Sequence, residues 1–380
     1  MMSAKMNVPE LRFGEFSGEW EEKKLGDIGK VSMCKRILKD QTTTDGAIPF
    51  YKIGTFGKIP DAFISKKIFE EFKSKYSFPK QGEILISASG TIGRTVVYDG
   101  SPAYFQDSNI VWIANNEELV INNFLLYCYI NTKWNTENTT IARLYNQNLR
   151  SIPLVIPSKP EQEKIASFLS SVDRKIEQLS KKKRLLEQYK KGVMQKIFSQ
   201  ELRFKENDES EFPEWVEKKL GEIAIKKSSN ISANKIEDNF GDYIIYGASG
   251  ILKSVDFYEE AEDYVSIVKD GAGVGRILYC KGESSVLGTM DIIKPKTELN
   301  TYFLYCLLDN IDFKKYVSGS TIPHIYFKDY SSEKCKLPSL KEQTKIATFL
   351  SSLDKKIELT EKGLNATKEF KKGLLQKMFV

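Results

Sequence analysis

Residues 161–198, EQEKIASFLSSVDRKIEQLSKKKRLLEQYKKGVMQKIF, decide the fold of this 380-residue chain, because the sequence contains them twice. The second copy, residues 342–379, reads EQTKIATFLSSLDKKIELTEKGLNATKEFKKGLLQKMF and follows at an offset of 181 residues without a gap. The copies are identical at 20 of 38 positions. An internal repeat governs architecture and is considered before local structure. We therefore expect a molecule built from two related halves.

Each copy predicts a long amphipathic helix. Apolar residues of the first copy recur mainly at steps of three, four and seven, the spacing of a coiled-coil seam. They are Ile165, Leu169, Val172, Ile176, Leu179, Leu186, Val193 and Ile197. Each helix would be about 55 Å long at 1.5 Å per residue. A narrow apolar stripe needs a partner, so we predict that the two helices pair; the alternative is that each packs on its own globular half.

The duplication includes a lead-in segment before each half. Residues 10–28, ELRFGEFSGEWEEKKLGDI, match residues 201–223, ELRFKENDESEFPEWVEKKLGEI. Continued past Val380, the pattern would return to residue 10, so the repeat closes on itself. A closed two-unit repeat implies a pseudo-two-fold axis and antiparallel helices. It also predicts that Val380 lies near Leu11.

Between lead-in and helix, each half contains short apolar runs separated by glycine turns, which is typical of strands. The predicted strands are 48–53, 83–86, 95–98 and 110–113 in the first half and 242–246, 264–268, 277–280 and 292–293 in the second. Short apolar helices follow at 122–130 and 300–308. The predicted fold class is α+β, with two mixed α/β globular domains and two long helices.

The composition is that of a soluble globular protein, with 41% hydrophobic and 28% charged residues. A net charge of +6 is compatible with nucleic-acid binding without requiring it. The N-terminus lacks the apolar stretch of a signal peptide, and no apolar run is long enough to cross a membrane. The five scattered cysteines favour reduced thiols and a cytoplasmic location.

The sequence offers few groups for catalysis. His324 is the only histidine, which nearly excludes a histidine-based metal cluster or a Ser-His-Asp triad within the chain. Residues 271–275, GAGVG, follow a predicted strand as phosphate-binding turns do, but no helix pattern comes after them. A glycine-rich hairpin is the favoured interpretation. These absences point to a binding protein with no cofactor of its own.

Polar and basic side chains gather at the predicted turns of both halves, where they could contact phosphates and base edges. The DNA-binding candidates of the first half are Lys35, Arg36, Tyr51, Lys52, Ser87, Ser89, Thr91, Arg94, Gln106, Ser108, Arg143, Tyr145, Asn146 and Gln147. Those of the second half are Lys226, Lys227, Tyr246, Ser249, Lys269, Asp270, Arg276, Thr289, His324, Tyr326 and Lys328. The alternative is that these are ordinary loop residues, with a structural role for Arg94 and Arg276.

These features together resemble the specificity subunit of type I restriction-modification systems. The resemblance covers nearly the whole chain and rests on the two EQxKIAxFLSSxDxKIE helix starts, their KKGxxQKxF ends, the ELRF lead-ins and the SGTIGR and GAGVGR turns. In that family two target-recognition domains each read one half of a split DNA target, and two helices between them form an antiparallel coiled coil. The resemblance implies target-recognition domains at 1–160 and 201–340 and spacer helices at 161–200 and 341–380.

The resemblance also implies double-stranded DNA and protein subunits as partners, and it locates the chemistry outside this chain. The helices would dock two methylation subunits, which use S-adenosylmethionine, and motor-nuclease restriction subunits would use ATP and magnesium. This chain would then be non-catalytic. Identity between the helix copies is concentrated at their starts and ends, so we expect docking surfaces there. The docking candidates are Ile165, Phe168, Phe198, Ile346, Phe349 and Phe379.

The two recognition surfaces differ in sequence, so the two half-sites should differ as well. Arg143 aligns with His324, Asn146 with Phe327 and Ser89 with Gly271. Two other functions stay open. A coiled-coil adaptor for other proteins would lack the steep salt dependence of DNA binding, and a stand-alone nuclease would cleave plasmid in the presence of magnesium.

Overall fold

The computed structural model describes residues 7–134, 143–296 and 298–380. It divides into two compact units, of which unit 1 comprises Met1–Gln178 and Leu364–Val380. Its elements in chain order are β1 (Glu21–Lys24), α1 (Leu25–Ile28), β2 (Gly29–Ser32), a 3₁₀ turn (Lys39–Gln41), β3 (Ile48–Tyr51), β4 (Phe63–Ile64), α2 (Lys66–Lys75), β5 (Ile84–Ser87), β6 (Thr95–Val97), β7 (Tyr104–Phe105), β8 (Ile110–Asn115), α3 (Asn122–Asn131), α4 (Asn146–Ser151), β9 (Pro153–Ile156) and the first half of α5 (Lys159–Phe198).

Unit 2 comprises Leu179–Gly363 and begins with the second half of α5. Its further elements are β10 (Val216–Lys219), α6 (Leu220–Ile223), β11 (Ala224–Ser228), a 3₁₀ turn (Ala233–Ile236), β12 (Tyr243–Gly247), β13 (Gly250–Val255), β14 (Tyr264–Val268), β15 (Ile277–Cys280), β16 (Ser284–Val286), β17 (Met290–Pro295), α7 (Thr301–Asp309), a 3₁₀ turn (Phe313–Tyr316), α8 (Phe327–Tyr330), β18 (Lys334–Leu337) and the first part of α9 (Leu340–Met378). The remainder of α9 belongs to unit 1.

The sheets of the two units correspond strand for strand. Unit 1 has sheets of order β2-β8-β5-β6, β4-β3-β7 and β1-β9, and unit 2 has β11-β17-β14-β15, β13-β12-β16 and β10-β18. The β3–β7 and β12–β16 pairs are parallel, and the other pairs are antiparallel. The predicted strands and short helices are confirmed to within a few residues. The mixed α/β character and the two-unit repeat are confirmed as well.

One element departs from the predicted correspondence. Unit 1 has helix α2 between β4 and β5, whereas in the described part of unit 2 strand β13 is followed directly by β14. The Ser65 side chain accepts a hydrogen bond from the Ile68 backbone at the helix start, and Phe69 is buried on its inner face. The KKIFEEFKSK sequence of α2 has no counterpart in the second half, so the repeat could not indicate it.

Each unit has a main core in which the long helices and the sheet meet. In unit 1 Ile165 and Leu169 of α5 pack in one cluster with Leu374 and Met378 of α9. Val193 and Ile197 of α5 pack with Ile346 and Leu350 of α9 in unit 2. Truncating such a fully buried leucine to alanine typically costs about 2–5 kcal/mol. Helix pairing and packing on the globular part therefore occur together, and the two alternatives do not exclude each other.

Ion pairs join the two long helices inside each unit. Lys371 of α9 lies 2.6 Å from Asp173 of α5 in unit 1. In unit 2 Lys190 lies 2.6 Å from Asp354, and Lys183 lies 2.6 Å from Glu361. Residue numbers rise along α5 as they fall along α9, so these segments of unit 2 run in opposite directions.

The two chain ends are adjacent within unit 1. The Leu11 backbone N–H donates to the Lys377 carbonyl at 2.8 Å, and Leu202 makes the same bond to Lys196 at 3.0 Å in unit 2. Glu10 and Val380 line a common cavity. The prediction that Val380 lies near Leu11 is therefore confirmed. Within the described residues, the helices lack the combination of length and apolarity needed to span a bilayer.

Candidate nucleic-acid interface

A glycine-rich turn joins two antiparallel strands at the same place in each unit. The turn joins β5 to β6 in unit 1 and β14 to β15 in unit 2, which confirms the hairpin interpretation of residues 271–275. Gly93 and Gly275 have φ values of 80° and 82°, in the left-handed region that favours glycine. A Cβ on Gly93 would stand 2.2 Å from Trp134, and one on Gly275 would stand 2.8 Å from Phe313. Both glycines are fixed by packing inside their own unit.

The backbone holds a second segment against each turn. The Leu144 N–H donates to the Ala88 carbonyl at 2.8 Å, and the Ile325 N–H donates to the Lys269 carbonyl at 2.9 Å. We call each assembly a recognition edge, formed by residues 88–94 and 143–146 in unit 1 and by residues 269–276 and 324–327 in unit 2. The two edges share one framework of main-chain bonds.

Isolated bridges place one pair of side chains together on each edge. Ser89 is bridged to Arg143 in unit 1, and Asp270 is bridged to His324 in unit 2. The alignment of Ser89 with Gly271 is therefore wrong, and Asp270 is the counterpart. The sequence alignment failed here because the glycine-rich turn of unit 2 has one residue more than that of unit 1. The alignment of Arg143 with His324 is confirmed by these bridges.

An exposed tyrosine lies beside each bridged pair. Tyr145 is 47% exposed and Tyr326 is 51% exposed. The Arg143 guanidinium lies 5.9 Å from the Tyr145 ring centroid, and the Lys328 ammonium lies 5.4 Å from that of Tyr326. Each edge therefore presents an aromatic ring next to a cation, an arrangement suited to phosphate, sugar and base contacts.

Several predicted DNA-binding residues of unit 1 have partners inside the unit. The Ser87 hydroxyl is buried and accepts from the Arg94 N–H at 2.9 Å, while the Arg94 guanidinium donates to the Phe56 carbonyl at 3.0 Å. Gln106 accepts from the Ile53 N–H at 2.8 Å. These side chains build the loops around the edge. The structural alternative for Arg94 has direct support.

The other candidates of unit 1 make ion pairs or ring contacts near the surface of the unit, or are exposed. Arg36 pairs with Asp107 at 2.9 Å and Lys52 with Asp61 at 2.9 Å. Lys35 lies over the Tyr76 ring, and Tyr51 stacks on Phe105. Thr91, Asn146 and Gln147 are exposed, and Ser108 is half-buried. Sequence reasoning missed Asn109, whose side-chain oxygen accepts from the Ser89 hydroxyl at 2.8 Å.

Three predicted lysines of unit 2 are paired with buried carboxylates. Lys269 lies 3.4 Å and Lys226 lies 4.0 Å from Asp291, and Lys227 lies 2.6 Å from Glu260. The two acids are 4% and 2% exposed. Burial acts to raise the pKa of Glu260, but hydrogen bonds from Lys227 and Lys294 outweigh it and leave that pKa below its ordinary value. Much of the positive charge of these lysines is therefore balanced within the unit.

The remaining candidates of unit 2 divide between buried and exposed side chains. Tyr246 is buried, and its hydroxyl accepts from the Lys281 N–H at 3.3 Å. Arg276 donates to the Ala248 carbonyl at 2.6 Å. Ser249, Thr289 and Lys328 are exposed. Sequence reasoning missed Asp291 because a single acid inside an apolar strand gives no signal of the lysines that will surround it.

The predicted docking residues are packed within their own units. Ile165 and Ile346 are buried in the two main cores. Phe168 meets Phe13 edge to face at 5.8 Å. Phe349 meets Phe204 in the same way at 5.7 Å.

The two terminal phenylalanines of the helix repeats also have internal contacts. Phe379 packs with Trp20 and Phe124 in unit 1. Phe198 packs with Trp215 and Phe303 in unit 2. All six predicted docking residues therefore contribute to the internal packing of the units. Their role toward a partner stays a prediction.

The described residues contain no cluster of three or more His, Cys, Asp or Glu side chains arranged to hold a metal ion. The five cysteines are buried as free thiols. Burial raises the pKa of the Cys34 thiol to about 12, and burial likewise raises that of Cys335 to about 11. These thiols pack as small apolar side chains.

Comparison with known proteins identifies one family. A family model described as "Type I restriction modification DNA specificity domain" matches residues 17–188 and 213–369. A Haemophilus influenzae protein provisionally named a type I restriction enzyme specificity subunit is 60% identical over 150 residues, a match that covers 39% of each chain. The type I restriction enzyme MjaIX specificity subunit of Methanocaldococcus jannaschii is 25% identical over 97% of this chain and 94% of its own.

A solved structure shows the same fold. The crystal structure of a type I restriction-modification S subunit from M. genitalium superimposes with a TM-score of 0.70 at 20% identity, and the match covers 98% of this chain and 99% of that one. The family model covers most of this chain in two successive matches, one on each half of the repeat. The chain therefore belongs to the family of type I restriction-modification DNA specificity subunits.

Proposed function

We propose that this chain recognises a bipartite DNA target within a type I restriction-modification complex, with one half of the target read by each recognition edge. The observation that carries this proposal is the pair of edges, which share main-chain bonds and differ in the side chains they display. Base-edge contacts supply sequence specificity, whereas a common framework supplies position. Two edges of this kind suit a target whose halves have different sequences.

We further propose that α5 and α9 form one antiparallel coiled coil that sets the separation of the two half-sites. Support comes from the equivalent Lys371–Asp173 and Lys190–Asp354 pairs, which recur at the repeat offset in the two units. A straight helix of about 55 Å would span about one and a half turns of B-DNA. The target-recognition domains would be residues 1–160 and 201–340.

The protein partners are proposed to be two methylation subunits and the motor-nuclease restriction subunits. Tyr189 and Phe370 support a refined docking surface, because they occupy the same repeat position on α5 and α9 and are 54% and 55% exposed. Aromatic side chains are common anchors of protein interfaces. S-adenosylmethionine, ATP and magnesium would serve the partner subunits, and this chain would be non-catalytic and cytoplasmic.

The decisive experiment is to produce the full chain with its methylation subunit in a host without adenine methylation and to map modified adenines by long-read sequencing. We expect one motif made of two specific parts separated by unspecified bases. Replacing residues 201–340 with those of a relative should change one part only. A complex that methylates no defined motif would contradict the proposal.

Two further measurements address the alternative functions. DNA binding by the complex should weaken steeply with rising salt, whereas an adaptor acting through protein contacts would not show a slope set by released counterions. The purified chain alone, incubated with plasmid and magnesium, should leave the DNA intact. Cleavage under those conditions would favour the nuclease alternative.

A further inference from the structure

The two recognition edges allow an internal comparison that separates two kinds of residue. If the halves of the target differ in sequence, the side chains that read bases must differ between the edges. A side chain retained on both edges must serve something common to both half-sites or to both units. The bridged pairs, Ser89 with Arg143 and Asp270 with His324, differ in both members.

Two retained pairs are explained by contacts inside each unit. Gly93 and Gly275 have positive φ values and no room for a Cβ. Arg94 and Arg276 each donate to a backbone carbonyl of a neighbouring loop, at 3.0 Å and 2.6 Å. These residues would be retained whether or not the edge contacted another molecule.

The retained tyrosines lack such an explanation. Tyr145 and Tyr326 are about half exposed, and each precedes a short helix to which it contributes backbone bonds that any residue could make. Their hydroxyl groups have no hydrogen-bond partner among residues 7–134, 143–296 and 298–380. Their rings are held beside Arg143 and Lys328, and the Tyr326 ring also meets the His324 ring edge to face at 4.9 Å. An exposed ring next to a cation, with a hydroxyl that has no partner within the described residues, is complementary to an anionic, partly apolar surface.

We propose, on the basis of the function proposed above, that Tyr145 and Tyr326 make the same contact with the DNA backbone at the two half-sites. Each hydroxyl donates to a phosphate oxygen, and each ring lies against the adjoining deoxyribose. In unit 2 the Lys328 ammonium neutralises the same stretch of backbone, and in unit 1 the Arg143 guanidinium is left to the bridged pair. Contacts of this kind fix register without reading sequence. They place the bridged pair beside the base edges.

The bridged pairs then determine which bases are accepted. The Arg143 guanidinium can donate two hydrogen bonds to guanine, and the Asp270 carboxylate can accept from the amino group of cytosine. Ser89 and His324 complete the two pairs with side chains that donate or accept. Specificity is thus assigned to positions 89 and 143 in unit 1 and to 270 and 324 in unit 2.

The first test measures affinity with the motif held constant. The wild-type complex with its methylation subunit is used to find the motif, and duplexes carrying that motif are titrated with Tyr326→Phe and Tyr326→Ala complexes at several salt concentrations. We expect about ten-fold weaker binding for Tyr326→Ala, the size of one lost hydrogen bond to a charged group, and a smaller loss for Tyr326→Phe, which keeps the ring. Lys328→Ala should lower the salt slope by about one.

The matched control is Phe240→Ala, because Phe240 is also an exposed aromatic ring of unit 2 under a lysine, with Lys253 at 4.2 Å, but has no retained counterpart. Its binding should equal that of the wild type. Both tyrosine variants should leave the methylated motif unchanged. Unaltered affinity in Tyr326→Ala and Tyr326→Phe, or a new motif in either, would overturn the proposal.

The second test exchanges the bridged pair. The double variant Asp270→Ser, His324→Arg installs the side chains of unit 1 on the edge of unit 2, and only one part of the mapped motif should change. A motif identical to that of the wild type would overturn the assignment. If the wild-type complex itself yields no bipartite motif, the proposed function fails first, which distinguishes the two failures.

Discussion

Single buried acids hold together the parts of each unit that lie far apart in the sequence. Glu161, 1% exposed at the start of α5, accepts two 2.7 Å hydrogen bonds from Arg12 of the lead-in. Arg203 and Glu342 repeat this pair in unit 2 at 3.4 Å and 3.0 Å. A carboxylate in the first turn also meets the positive end of the helix dipole. The arginine that both ELRF segments share is thereby explained.

Arg12→Ala should destabilise unit 1, because it leaves the Glu161 charge buried without a partner, a change that costs about 3–5 kcal/mol. Urea unfolding followed by circular dichroism would measure the loss. Arg12→Ala combined with Glu161→Gln should recover part of it, since the second change removes the buried charge. Lys164→Ala, which breaks an exposed pair with Glu15, is the control and should have little effect. Equal stability of Arg12→Ala and the wild type would contradict this reasoning.

Glu260 predicts a pH dependence of stability. Its pKa lies below the ordinary value of 4.5 in the folded state, so the ionised form favours folding. This contribution is present above the unfolded pKa and is lost as the pH falls through the lowered folded pKa. The Glu260→Gln variant should therefore have a lower free energy of unfolding than the wild type. The difference should be largest at pH 7 and smallest near pH 3. Glu259→Gln, an exposed neighbour, should show no such convergence.

At the scale of elements, the long helices combine two tasks on different faces. Their apolar stripes are used for the unit cores, and the Lys–Asp pairs fix one helix against the other. The residue before each paired lysine is exposed to solvent. Tyr189 directly precedes Lys190, and Phe370 directly precedes Lys371. This position fits the docking surface proposed above, with one exposed aromatic side chain on each unit.

Replacing Tyr189 and Phe370 together with Asp should prevent stable association with the methylation subunits, because burying two new carboxylates in an interface is unfavourable. Native mass spectrometry of the co-expressed complex would count bound subunits. Leu359→Asp is the matched control, since Leu359 is 58% exposed on α9 but is not repeated on α5. Unchanged assembly of the double variant would show that docking uses another surface.

The elements that could be predicted are those with a strong period or a repeated copy. The regular spacing of apolar residues such as Leu169 indicated the long helices. Short apolar runs separated by glycine turns indicated the strands. Helix α2 was missed because the second half has no copy of it. The pairing of Lys227 with Glu260 was missed because it joins residues far apart in sequence through the fold. The location of the candidate site therefore stays a prediction, while the internal roles of Ser87, Arg94 and the paired lysines required coordinates.

At the scale of the whole molecule, the adjacent ends suggest a rearranged chain. Phe198 and Leu202 are joined by three residues, Ser-Gln-Glu, and the Leu11–Lys377 bond reproduces the Leu202–Lys196 bond. A chain in which Phe379 is joined to Leu11 through Ser-Gln-Glu and opened at Gln200, where φ is 64°, should fold. We expect thermal unfolding close to that of the parent and the same methylated motif. A rearranged chain that is produced but unfolded would contradict the closed repeat.

The main-chain bonds that hold each recognition edge have a consequence for mutational tolerance. Main-chain N–H and carbonyl groups join Leu144 to Ala88 and Ile325 to Lys269. These hydrogen bonds do not depend on which side chains the neighbouring bridged positions carry. Substitutions at the bridged positions should therefore change the displayed side chains without endangering the fold. If the bridged pairs read bases as proposed, such a scaffold would acquire new preferences by single steps, one half at a time, while the other half keeps its own.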